Sequence, residues 1–162
     1  MATEPTEQPA SPVCYADEAG DAYAGYATRD ELVSCLNALL EAERAGARIT
    51  AHMAVQAEEP GLSALMRQIH DDEARWCTML LECIETLNGQ PSPRVGDFCE
   101  KCLAIEDLNA RAAFINRGQG WVVRKLREIL PRVRSDELHA RLSAMLKSHE
   151  ENIVRTSALL PP

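Results

Sequence analysis

Aromatic side chains make up only 4% of this 162-residue chain, and Val, Ile and Thr are also sparse. Ala, Leu, Glu and Arg take their place. These unbranched side chains lose little rotamer freedom in a helix, so the composition points to an all-α protein. Basic residues are outnumbered too, with 17 Lys and Arg against 25 Asp and Glu, a formal net charge of −8. A phosphate backbone or an anionic lipid surface would repel such a chain, which argues against nucleic acid and membranes as partners. No apolar run approaches the ~20 residues that span a bilayer. The opening segment MATEPTEQPASP has neither a basic n-region nor an apolar h-region, so it does not read as a secretory signal, and a cytoplasmic location is expected.

A second Cys-x-x-Cys is also missing. Cys99 and Cys102 form one such pair, but a structural zinc site needs two further ligands at similar spacing. In a reducing compartment Cys14, Cys35, Cys77, Cys83, Cys99 and Cys102 read as free thiols that pack as small apolar residues. A redox or metal role for Cys99 and Cys102 is the alternative.

What the chain does have is helical periodicity. Residues 1–27 show no sustained period and read as an irregular arm, which Tyr15, Tyr23 and Tyr26 could dock on the rest. Residues 28–162 read as one domain of four helices. Thr28 and Glu31 form a capping box that opens the first helix. Its stripe is Leu32, Leu36, Leu39, Glu43, Gly46, Thr50, Met53 and Ala57. The second helix starts near Pro60, with the stripe Leu62, Met66, Ile69, Glu73, Trp76, Leu80, Cys83 and Leu87, and stops at Asn88-Gly89. The third carries Leu108, Ala112, Ile115, Gln119, Val122, Leu126 and Ile129, and the stretch from Asp97 is an earlier turn or part of it. The fourth begins around Ser135 and Asp136, with Leu138, Leu142, Met145, His149, Asn152, Thr156 and Leu159. Four such stripes specify a four-helix bundle.

The two halves repeat. The offset is 119 − 43 = 76 between Glu43 and Gln119, and 149 − 73 = 76 between Glu73 and His149. The same offset carries Leu39 to Ile115, Met66 to Leu142 and Ile69 to Met145. Two helical hairpins related by a pseudo-twofold axis account for this. Glu43, Glu73, Gln119 and His149 each interrupt their stripe at its middle. Antiparallel hairpins therefore bring all four to one level inside the bundle, with Asn152 one turn away. A bare carboxylate in an apolar core costs several kcal/mol, so the layer must satisfy itself. One reading is a metal site for Fe, Mn or Zn on Glu43, Glu73 and His149, with Gln119 beside them. The other is a hydrogen-bond network in which Glu43 and Glu73 flank a protonated His149 while Gln119 and Asn152 fill the remaining valences. His70 lies off the stripe and reads as a flank residue.

Gly118-Gln119-Gly120 places two glycines mid-helix, each costing ~1 kcal/mol against alanine. Close helix packing, as at Gly46, or backbone approach to a ligand beside Gln119 would compensate. Trp121 follows them, placed to wall the site or to pack on another subunit.

With this layer the chain resembles the ferritin-like superfamily, and within it the small rubrerythrin-like proteins, over roughly residues 28–160. The resemblance implies a Glu from the first and third helices and a Glu-x-x-His pair from the second and fourth, together holding two irons. Placed on this chain, those positions are Glu43 (in LLEAERAG), Glu73 and Trp76 (in DEARW), Gln119, and His149 and Asn152 (in SHEEN). Two carboxylates remain, and Trp76 stands where a histidine would. A modified site with redox function, mononuclear or otherwise, and a metal-free structural layer in a non-enzymatic interaction module both fit. The resemblance further implies a connection crossing the bundle between the second and third helices. It also implies association, and a homodimer through Trp121, Val123 and Leu130 is expected.

Overall fold

The computed structural model describes Gly20 and residues 22–161. From Arg29 onward, the described residues form five α-helices in succession: α1 (Arg29–Gln56), α2 (Pro60–Thr86), α3 (Phe98–Leu103), α4 (Leu108–Ile129) and α5 (Asp136–Leu159), with a 3-10 turn at Leu130–Arg132. Most of the expected arm lies outside the described residues. Of its end, Tyr23 is 97% exposed and so does not dock, whereas Ala27 is buried and its N–H donates to the Arg132 carbonyl at 2.8 Å.

Each long helix begins where a side chain can satisfy free N–H groups. Thr28 and Glu31 complete the capping box on α1. Glu59 accepts from Gly61 and Leu62 ahead of Pro60, Asp107 accepts from Ala110, and Ser135 accepts from Leu138. Asp107 settles the start of the third long helix. The stretch from Asp97 is a separate short helix, α3, broken off at Ala104.

The long connection crosses the bundle. Arg29 Nε donates to the Leu87 carbonyl at 2.6 Å, Asn37 Nδ2 to the Gln90 carbonyl at 2.9 Å, and the Gly96 N–H to the Glu41 carbonyl at 3.0 Å. At the far end Arg111 Nη1 donates to Gln56 Oε1 at 2.6 Å. Residues 87–111 therefore travel from the start of α1 to its end, and α2 and α4 run parallel. α1 packs against α2 and α4, and α5 packs against the same two helices.

Two apolar clusters fill the bundle. One gathers Leu36, Leu39, Leu40, Trp76, Leu80, Leu126 and Leu142. The other gathers Ile49, Met53, Met66, Ile69, Cys102 and Ile115. Both hold side chains with no exposure at all, the dry packing that supplies most of a bundle's stability. Between them lies the polar layer. Val123, expected on an outer association face, is instead buried within the chain, while Trp121 and Leu130 pack half-buried on the first cluster.

Candidate metal centre

Glu43 on α1, Glu73 on α2, Gln119 on α4 and His149 on α5 are all buried, none more than 4% exposed. Their stripes meet where the 76-residue repeat places them, at the boundary between the two apolar clusters. His149 Nδ1 lies 3.0 Å from the Met145 carbonyl. A carbonyl only accepts, so Nδ1 carries the hydrogen and Nε2 is left to face the layer. Nε2 lies 3.1 Å from Glu43 Oε1. Across the layer Gln119 Nε2 donates to Glu73 Oε1.

The pairing differs from the expected one. Glu43 alone is in hydrogen-bond contact with His149, and Glu73 is held by Gln119. Asn152 leaves the layer altogether. Its Nδ2 donates to Asp72 Oδ2 at 3.3 Å, on a carboxylate that also takes Arg75 at 2.8 Å. His70 is a flank residue, its Nδ1 2.9 Å from the Ala47 carbonyl.

Gly46 owes its place to Glu73. A Cβ there would lie 2.6 Å from Glu73 Oε2, so only glycine leaves room for the carboxyl. The two glycines around Gln119 have different surroundings. A Cβ on Gly118 would lie 2.6 Å from Phe98 Cζ, whereas one on Gly120 would meet only Arg124 Nη1 at 3.7 Å. Gly118 thus seats the α3 ring against α4. A Cβ on Gly120 would make only ordinary contact with Arg124, so close packing does not explain that glycine.

Burial raises both carboxyls. Glu43 is pushed from its ordinary 4.5 to about 8, mainly by loss of water. Glu73 is raised well above 4.5 by burial and then by the charge of Glu43. The layer has more acceptors than donors: Glu43 Oε2 and Gln119 Oε1 are buried without a hydrogen-bond partner. A proton or a cation relieves that imbalance.

One oxygen from each carboxyl and one nitrogen of His149 lie within 4.8 Å of one another, and among the described residues no other His, Cys, Asp or Glu group is so placed. Two carboxylates and one imidazole suit a single Fe, Mn or Zn ion. The unpartnered Glu43 Oε2 and the ring fixed through Nδ1 fit such an ion. They do not fit two ions. The Trp76 indole, 7% exposed, packs in the first apolar cluster and offers no metal ligand, and Asn152 is committed to Asp72.

Cys99 and Cys102 sit apart from this layer, on the buried side of α3. Burial raises both thiols, Cys102 to about 11, so neither is a ready thiolate. A cavity of about 490 Å³ between α1 and α4 instead ends against the layer. Glu43, Glu73 and Gln119 line its inner part, and the exposed Arg117 and Arg124 line its outer part. Stripe reasoning passed over Phe98, Arg117 and Arg124. The one available signal was the i, i+7 spacing of the two arginines on the outer face of the third helix.

Comparison with known proteins supports the architecture. A family profile described as Domain of unknown function (DUF6306) matches residues 30–158. No curated protein matches the chain. Among solved structures, the chain is similar to a crystal structure titled as ferritin like, diiron-carboxylate proteins from Bacillus anthracis str. Ames. The TM-score is 0.74 at 19% identity, covering 82% of this chain and 97% of that one. At that identity the likeness shows the fold: an all-α, ferritin-like bundle.

Proposed function

We propose that this chain, which belongs to the DUF6306 domain family, is a ferritin-like protein that holds a single divalent metal ion on Glu43, Glu73 and His149. The observation that carries this reading is the cluster itself: three donor groups within 4.8 Å of one another in a water-excluded core. Charge supports it as well. Two buried carboxyls that resist ionisation alone become neutral overall with a divalent cation, which takes the place of their protons. The register of Glu43 and Glu73, at two of the carboxylate positions of rubrerythrin-like proteins, agrees with it.

The surrounding residues have positioning roles. Met145 orients the imidazole through Nδ1 so that Nε2 offers a lone pair. Gln119 holds Glu73 from α4, and Gly46 leaves space for that carboxyl. The apolar clusters on both sides keep water out, which strengthens every electrostatic contact in the layer. A bound iron or manganese would supply one-electron redox chemistry, and this is the oxidoreductase reading of the site. Elemental analysis of protein purified without added metal tests the proposal. Stoichiometric Fe, Mn or Zn, lost in Glu43→Ala and in His149→Ala, supports it; metal-free protein that refuses added Fe(II) contradicts it.

One observation favours a second reading. The two cross-layer hydrogen bonds close without any ion, as a structural polar layer in a non-enzymatic interaction module would require. In that reading a proton shared between the Glu43 and Glu73 carboxyls takes the place of the cation, and Gln119 Oε1 stays unpartnered in the core in either case.

A further inference from the structure

The cavity between α1 and α4 has its own chemistry, separate from the metal ligands. Its volume of about 490 Å³ is within the range of small-molecule sites, roughly 300–1,000 Å³. Phe98, Phe114 and Trp121 form aromatic walls, with the rings of Phe98 and Phe114 stacked at 4.7 Å between centroids. The walls therefore present flat, apolar faces. At the outer end stand two exposed cations. The Arg117 guanidinium lies 4.7 Å over the Phe114 ring, and among the described residues neither Arg117 nor Arg124 is paired with a carboxylate. The acids at the same rim are fewer in effect. Glu41 is already engaged by Ser92 Oγ at 2.5 Å and by Arg94 at 3.2 Å, which leaves Asp97 as the opposing charge. At the inner end Gln119 gives its Nε2 to Glu73 while its Oε1 is buried, so this end closes the cavity without offering it a free acceptor.

We propose that this cavity binds a small, flat, mostly apolar organic acid, its carboxylate held by Arg117 and Arg124 and its flat body taken up against the aromatic walls. Guanidinium groups recognise a carboxylate through charge-assisted hydrogen bonds, and aromatic walls take up the apolar body. The pocket requires no metal ion, so it stands or falls separately from the metal site.

The test uses metal-stripped, full-length protein and the fluorescent probe 6-hydroxy-2-naphthoate. Saturable binding of one probe per chain with quenching of Trp121 emission is expected, and Trp121→Phe should remove the quenching. The uncharged methyl ester should bind at least about tenfold more weakly, as should the acid to an Arg117→Ala/Arg124→Ala double variant. Ala42→Leu, which fills the cavity, should abolish saturable binding. Ala38→Trp, at an exposed rim position, should do the same should the filled core not fold. No saturable binding to the wild type up to about 1 mM would overturn the proposal. So would binding that survives both Ala38→Trp and the double arginine variant.

Discussion

His149 Nε2 stands 3.1 Å from Glu43 Oε1, and this contact is the pseudo-twofold mate of the one between Gln119 and Glu73. The 76-residue repeat exchanges Glu43 with Gln119 and Glu73 with His149, so each pair maps onto the other. The symmetry of the backbone is kept while the chemistry is split. One half offers two carboxyls and the other an amide and an imidazole. This split gives the layer a lopsided set of donors, enough for one cation and too few for two.

Glu73 and Gly46 should be energetically coupled. Gly46→Ala puts a methyl 2.6 Å from Glu73 Oε2, and overpacking costs about 1–3 kcal/mol against ~1 kcal/mol of helix propensity gained. In the Glu73→Ala background that clash is gone, so the same change should be neutral or stabilising. Denaturant melts of the two single variants and the double check this. Additive effects would mean that the carboxyl does not occupy the glycine's space.

The glycines flanking Gln119 should respond in opposite directions. Gly120→Ala adds a methyl in ordinary contact with the end of the Arg124 side chain and should stabilise the protein by about 0.5–1 kcal/mol with metal content unchanged. Gly118→Ala drives into the Phe98 ring and should cost about 1–3 kcal/mol. Thermal unfolding of the two variants side by side decides it.

Much of this was legible in the sequence, and the misses have identifiable physical causes. Helical period and caps located the four long helices, and a common register put Glu43, Glu73, Gln119 and His149 at one level. Level does not determine direction around the axis. Sequence reasoning therefore gave His149 both carboxylates, whereas the geometry gives it Glu43 and hands Glu73 to Gln119. Asn152 shares the stripe but finds Asp72, a residue one position before Glu73 on a different face of α2. Gly118 could not be understood without Phe98, which arrives from a short helix inside the crossover. The arginines of the cavity rim are polar residues off the stripe, and their i, i+7 spacing marks a shared face without showing what that face lines.

Asn152 should be dispensable for metal. Its amide is spent on Asp72, so Asn152→Ala should retain the metal content of the wild type while His149→Ala loses it. The same elemental analysis reads both variants, and loss of metal in Asn152→Ala would place that side chain back in the site.

Stability of the metal-free protein should fall as pH rises. Glu43 has its folded value raised from 4.5 to about 8, so the folded state holds a proton that the unfolded chain has released. Stability from this group is full below about pH 4.5. It declines through the interval by up to about 1.4 kcal/mol per pH unit for one proton, and the loss is complete above about pH 8. Glu73, raised in the same direction, extends the trend. Glu43→Gln cannot ionise and should flatten the profile. A metal-free wild type that gains stability between pH 5 and pH 8 would show that these carboxyls ionise freely and are not buried as described.

The most direct test of the single-ion account is a calorimetric titration of metal-stripped protein with Fe(II), Mn(II) or Zn(II) under anaerobic conditions. The account predicts saturation at one ion per chain, release of protons on binding because the raised carboxyls must ionise, and loss of binding in Glu43→Ala, Glu73→Ala and His149→Ala. Saturation at two ions per chain, or no uptake by folded protein, would contradict it.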